Sequence, residues 1–200
     1  MDPDDNVTAL TASEWSAFLR NKFQQWSDDA SEMIEAMYTN ETDQNTPQNM
    51  YDAINADYGL TCASISLSQR AKSNGGQFTS PIYVYVNKWG PMGVVGGKTA
   101  LAYHTWDLSA VTETWPDSYI PYPRDMVLAQ NLQQWWWTLI SMGALDPATW
   151  PSVELNPGWP EVYNTFVMQP SGSSVQPQYK KSVCDLFADM QLDERFYWCD

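Results

Sequence analysis

Ile82-Tyr83-Val84-Tyr85-Val86 is the stretch on which the architecture turns. β-Branched and aromatic side chains follow one another there without a charge, so neither face shows the polar alternation of a half-solvated strand. Such a run predicts a strand buried on both faces, in the middle of a mainly parallel sheet. A Gly-rich, irregular segment at 89–100 comes next, and loops leaving the strands of α/β sheets commonly carry functional groups. The expected class is therefore α/β, a partial sheet with flanking helices.

Helical patterns lie on either side of this strand. Towards the N-terminus, Ser13 is an N-cap candidate, and Trp15, Phe18, Leu19, Phe23 and Trp26 follow at helical spacing. A second helix places Ala30, Met33, Ile34, Met37 and Tyr38 on one face, and the polar stretch 39–49, with Pro47, reads as a loop. Helical spacing resumes at Tyr51, Ile54 and Tyr58, runs past Cys62 towards Ala71, and ends at Ser73-Asn74-Gly75-Gly76. Towards the C-terminus, residues 125–142 form the clearest helix, stopped by Gly143. Trp135-Trp136-Trp137 cannot all face one way, so this helix is expected to be covered on more than one side. Residues 162–168 predict a short strand and 181–190 a terminal helix. No repeat or linker divides the chain, which reads as one unit over 1–200.

Composition bounds the function. An apolar fraction of 44% and eleven Trp predict a substantial buried core rather than a disordered segment. The net charge is −14, and no basic cluster is longer than Lys180-Lys181, so a nucleic-acid partner or an anionic membrane surface would be repelled. No apolar run approaches the roughly 20 residues of a membrane span. Met1-Asp2-Pro3-Asp4-Asp5-Asn6 lacks the basic and apolar regions of a signal peptide. Asn6-Val7-Thr8 and Asn40-Glu41-Thr42 are glycosylation sequons. Three cysteines, Cys62, Cys184 and Cys199, permit one disulfide and a remaining thiol.

His104 is the sole histidine. One histidine and no Cys-x-x-Cys leave no tetrahedral ligand set for zinc, so no metal is expected. A thiol nucleophile paired with His104 is conceivable, but Cys62 sits in a helical pattern without distinguishing context. The elbow Gly-x-Ser-x-Gly is absent, since Gly172-Ser173-Ser174 lacks the second glycine and a preceding strand. Dinucleotide and P-loop signatures are absent too, and no cofactor is expected.

One ordered set of landmarks does carry information. Ser13-Glu14-Trp15 opens a helix, and a second helical segment ends in Met37-Tyr38. Asp57-Tyr58-Gly59-Leu60-Thr61-Cys62 precedes the aromatic strand, which precedes Ala102-Tyr103-His104-Thr105-Trp106-Asp107-Leu108. A Trp-rich helix then ends at Gly143 before Asp146-Pro147 and Trp150-Pro151, and Val183-Cys184-Asp185-Leu186-Phe187 closes the series. In this order the landmarks resemble the C-terminal part of the type-B carboxylesterases, the group that includes the cholinesterases, over most of the chain.

The resemblance implies the C-terminal portion of an α/β-hydrolase fold, with His104 at the family's catalytic histidine. It also implies a Cys62–Cys184 disulfide, a tail cysteine, Cys199, that some members use to join a homodimer, and a secreted or extracellular glycoprotein bearing sugar at Asn6 and Asn40. The substrate implied is a small carboxylic ester, once the chain is joined to the upstream portion. Three free thiols in a cytosolic protein are the alternative. Leu101 stands where the family often has Gly, Thr105 where Gly or Ser is common, and the Gly-rich 90–97 where many members have basic or aromatic residues. These departures bear on loop geometry and the substrate pocket.

The nucleophile and the triad acid lie upstream in the family. Asp2, Asp4 and Asp5 lack the glycine that accompanies that acid. Asp107 is expected to hold the histidine loop, since neighbours three apart rarely reach base–orienter geometry. Trp106 and Trp115 read as core aromatics, with a gorge lining as the alternative; Phe78, Tyr83 and Tyr85 read as core. A chain with the base alone is expected to be silent by itself, because loss of the nucleophile costs on the order of a million-fold. A non-catalytic binding module of the same family, or a truncated product without a stable fold, are the rival expectations.

Overall fold

A computed structural model describes residues 6–23, 29–39, 46–73, 79–95, 98–99, 102, 105–116, 119–153 and 163–190. The chain divides into two compact units, 1–67 with 180–200, and 68–179.

The first unit is helical. α1 (Ala12–Phe23) begins with a reciprocal cap: the Thr11 backbone N–H and hydroxyl donate to the Glu14 carboxylate at 2.8 and 2.7 Å, and the Glu14 N–H returns a long bond of 3.4 Å to Thr11 Oγ1. Thr-x-x-Glu is the capping-box spacing, which moves the cap two residues ahead of Ser13. Trp15, Leu19 and Phe23 are buried from α1, and Ala30, Ile34 and Tyr38 from α2 (Ala30–Thr39), each at every fourth position. α3 (Pro47–Ala56) starts inside the expected loop. Thr46 accepts from the Asn49 N–H at 3.2 Å and Pro47 takes the first turn, where its missing N–H costs nothing.

A π turn (Asp57–Thr61) passes directly into α4 (Cys62–Ser73). α7 (Lys181–Asp189) completes this unit and contributes Val183, Leu186 and Phe187 to its core. The Cys62–Cys184 disulfide joins the start of α4 to α7. Beside it, the buried Asp57 carboxylate accepts from the Tyr38 hydroxyl at 2.9 Å and pairs with Lys180 Nζ at 2.8 Å. That ammonium also lies 5.2 Å over the Tyr38 ring.

In the second unit, β1 (Tyr85–Asn87) runs parallel to β4 (Asn164–Met168), which pairs antiparallel with β5 (Ser174–Pro177). The register sets Tyr85 against Phe166 and Phe166 against Val175. This three-stranded sheet is mixed, and β4 is its centre. The expected middle strand is therefore an end strand among the described residues, and only half-buried. Its tyrosines account for this. The Tyr83 hydroxyl accepts from the Leu145 N–H at 2.9 Å and the Tyr85 hydroxyl reaches Asp107, so each ring buries its body and keeps its tip among polar groups. β4, expected as the lesser strand, is the one buried along its length from Thr165 to Met168.

β2 (Val94–Val95) and β3 (Lys98–Thr99) form a short antiparallel pair within the Gly-rich segment. α5 (Trp106–Thr112) and α6 (Pro123–Met142) pack together over an aromatic core. There Trp150 stacks on Phe166 at 4.5 Å, and Trp135 meets both edge-on. α6 is covered on one side only. Leu128, Ala129 and Leu132 are buried, while Trp137 and Ile140 are 70% and 73% exposed, contrary to the expectation of cover on several faces.

Candidate functional site

The segment from β1 to α5 holds the sequence-derived candidate. After β1, Asn87 Oδ1 accepts from the Trp89 N–H at 2.9 Å and fixes the exit of the strand. Thr105, directly before α5, takes a left-handed conformation with φ 70°, an uncommon backbone for a β-branched residue. α5 is anchored beneath by Trp106, fully buried, whose ring lies 5.1 Å from Trp115 and 5.3 Å from Tyr119. Trp106 is thus a core aromatic, and Trp115 is half-buried against it. His104 lies outside the described residues. Its place is bracketed by Ala102, half-buried, and Thr105, exposed.

Asp107 stands in the first turn of α5, and the Tyr85 hydroxyl donates to its carboxylate at 2.6 Å. This bond ties β1 to the start of the helix across the loop that contains His104. Burial, and then the hydrogen bond to Asp107, push the Tyr85 hydroxyl pKa up, so it stays a donor at any physiological pH. Asp107, expected as a polar holder of the histidine loop, bonds Tyr85 of β1. Tyr85, read from sequence as core packing, is the other half of that bond. Nothing in periodicity reveals a hydroxyl aimed at a helix start.

A second polar knot braces the same region. Asp125, fully buried, accepts from the Tyr119 hydroxyl at 2.5 Å, the Tyr122 N–H at 2.8 Å and the Met92 N–H at 3.2 Å. Three donors compensate one buried carboxylate. The Gly93 N–H bonds the Tyr119 oxygen at 3.3 Å, and a Cβ on Gly93 would meet the Tyr122 ring at 2.7 Å, so a side chain there would have to displace that exposed ring. Sequence held one usable signal here: Asp125 stands two residues after Pro123, as an acid in a helix's first turn does.

Cys62 is bonded to Cys184, so it is no thiol nucleophile for His104. Asn6 is exposed, and the sequon's Thr8 donates its hydroxyl to Gln48 at 2.9 Å. Asn40, Phe78 and Cys199 lie outside the described residues. Among the described residues no group of three or more His, Cys, Asp or Glu side chains is gathered as a metal site. No helix there is long and apolar enough to cross a membrane. Comparison with protein-family models and with curated protein sequences finds no match to the chain.

Proposed function

We propose that this chain is the C-terminal part of a carboxylic ester hydrolase of the type-B carboxylesterase kind, supplying the triad histidine, His104, and inactive by itself. The observation that carries the reading is the frame around the histidine loop. That loop leaves a strand in a mixed sheet and ends at α5, with the Tyr85–Asp107 bond joining the two flanks. A general base must be held steady against its partners, and a bond between the flanks of its segment supports that reading. The Cys62–Cys184 disulfide, implied by the same resemblance, is a second support.

In the joined protein, a serine from the upstream portion attacks the ester carbonyl while His104 takes its proton. The tetrahedral intermediate expels the alkoxide, which receives that proton from His104. Water then attacks the acyl-enzyme by the same route, returning the carboxylic acid and the free serine. The substrate is a small neutral or cationic ester, which a −14 chain tolerates better than an anionic one. Disulfide formation and the exposed sequon asparagine, Asn6, favour a secreted protein.

The isolated chain, assayed with a nitrophenyl ester, is expected to show no turnover beyond that of its His104→Ala variant. It is also expected to resist labelling by a serine-directed fluorophosphonate. Labelling, or hydrolysis that depends on His104 in the isolated chain, would overturn the claim that the attacking hydroxyl lies elsewhere.

A further inference from the structure

α5 is a short helix with a left-handed residue at each end, Thr105 at φ 70° and Glu113 at φ 52°. Neither is glycine, so each end carries backbone strain that its surroundings must hold. At the C-terminal end Gln133 of α6 does this, donating from Nε2 to Glu113 Oε1 and to the Val111 carbonyl, both at 3.0 Å. At the N-terminal end Thr105 supplies nothing itself. Its side chain is exposed and makes no capping bond. The fixed groups are the next two residues: Trp106 is fully buried, and the Asp107 carboxylate accepts from the Tyr85 hydroxyl at 2.6 Å. The Tyr85 ring is set edge-on against Trp150 at 5.7 Å, so this hydroxyl comes from a steady body in β1.

We propose that Tyr85 is a positioning residue for His104, acting through Asp107 and the left-handed Thr105. His104 is joined to Thr105 by a planar peptide bond, and φ of Thr105 sets the direction in which that peptide leaves α5. Relaxation of Thr105 from φ 70° to the ordinary helical value would swing the peptide by about 130°. The Tyr85–Asp107 bond opposes this relaxation by fixing the first turn of α5 against β1. A bond from a hydroxyl to a carboxylate suits the task, because a charged acceptor makes it stronger than a neutral pair. The service to the reaction rests on the esterase reading, in which His104 moves a proton; the tie between β1 and α5 does not.

His104 is the sole histidine, so NMR of the full 200-residue chain with isotope-labelled histidine reports on it without assignment. Well below the thermal transition, the unaltered chain should give one imidazole Cε1–H line. Tyr85→Phe keeps the ring, removes the donor, and should split or broaden that line. Asp107→Ala should do the same, and it leaves the core ring untouched should the first variant fold poorly. Asp107→Asn retains an acceptor and should keep one line. Thr105→Gly in the Tyr85→Phe background should restore one line, because glycine takes the left-handed conformation without strain. A bond that serves stability alone would lower the thermal transition of Tyr85→Phe and leave its line single, which would overturn the proposal. Several lines from the unaltered chain, a split line in Asp107→Asn, or no restoration by glycine would overturn it too. In the polypeptide joined to its upstream portion, Tyr85→Phe should lower kcat about tenfold or more and leave KM in place. An unchanged kcat there overturns the positioning role and spares the esterase reading. No turnover from the unaltered joined protein sinks the esterase reading, and with it the reaction that Tyr85 serves, whatever the lines show of the tie.

Discussion

Tyr119 shows how a single hydroxyl reports on its surroundings. Burial, and then the hydrogen bond to Asp125, push its pKa up to about 12, whereas a tyrosine in an unfolded chain ionises near pH 10. The folded state therefore holds this proton more tightly. Its contribution to stability is complete below about pH 10 and is lost as the pH rises through about 12. Thermal unfolding followed across that window is expected to show the wild type losing stability faster than Tyr119→Phe. Parallel losses in the two proteins would remove Tyr119 as the titrating group. Polar partners of this kind were the least legible part of the sequence. Asp125 and Tyr119 are six residues apart, but Met92 reaches the same carboxylate from 33 residues away, and no local pattern encodes that meeting.

At the scale of elements the sequence was a better guide, for physical reasons that differ from one element to the next. The four-residue spacing of Trp15, Leu19 and Phe23 announces a buried helix face, and that face is buried. Pro47 misled because proline ends a helix when interior but starts one in the first turn, where the Thr46 cap places it. The aromatic strand misled because tyrosine counts as apolar in a pattern yet takes its hydroxyl to a polar partner. Gly143 behaved as its position required. It ends α6 with φ 71°, its N–H bonding Leu139 O at 2.9 Å, and a Cβ there would meet nothing within 4 Å. Gly143→Ala should therefore cost about 1 kcal/mol, through backbone strain alone, read as a lower unfolding midpoint in urea. An unchanged midpoint would show that the helix end relaxes out of this conformation.

For the whole molecule, the disulfide is the longest-range covalent link among the described residues and one of the features that the family resemblance implies. It spans 122 residues and ties the two sequence-distant parts of the first unit together. By loop entropy, Cys62→Ser with Cys184→Ser should destabilise that unit by about 5 kcal/mol, measured by denaturant unfolding of oxidised and variant chains. Equal stability would mean that the helical packing and the Asp57–Lys180 pair already hold the two parts together. Mixed helix and strand was legible throughout. The boundary between the two compact units falls inside one helix, α4, so no break in the helical pattern marks it.

The central proposal is that His104 acts as the proton shuttle for a serine carried upstream. The direct measurement joins residues 1–200 to the polypeptide encoded immediately before Met1 and compares ester hydrolysis with and without His104→Ala. Turnover that the substitution abolishes is expected, with the thermal transition unmoved. Turnover that survives the substitution, or a coding sequence there without a Gly-x-Ser-x-Gly motif, would contradict it.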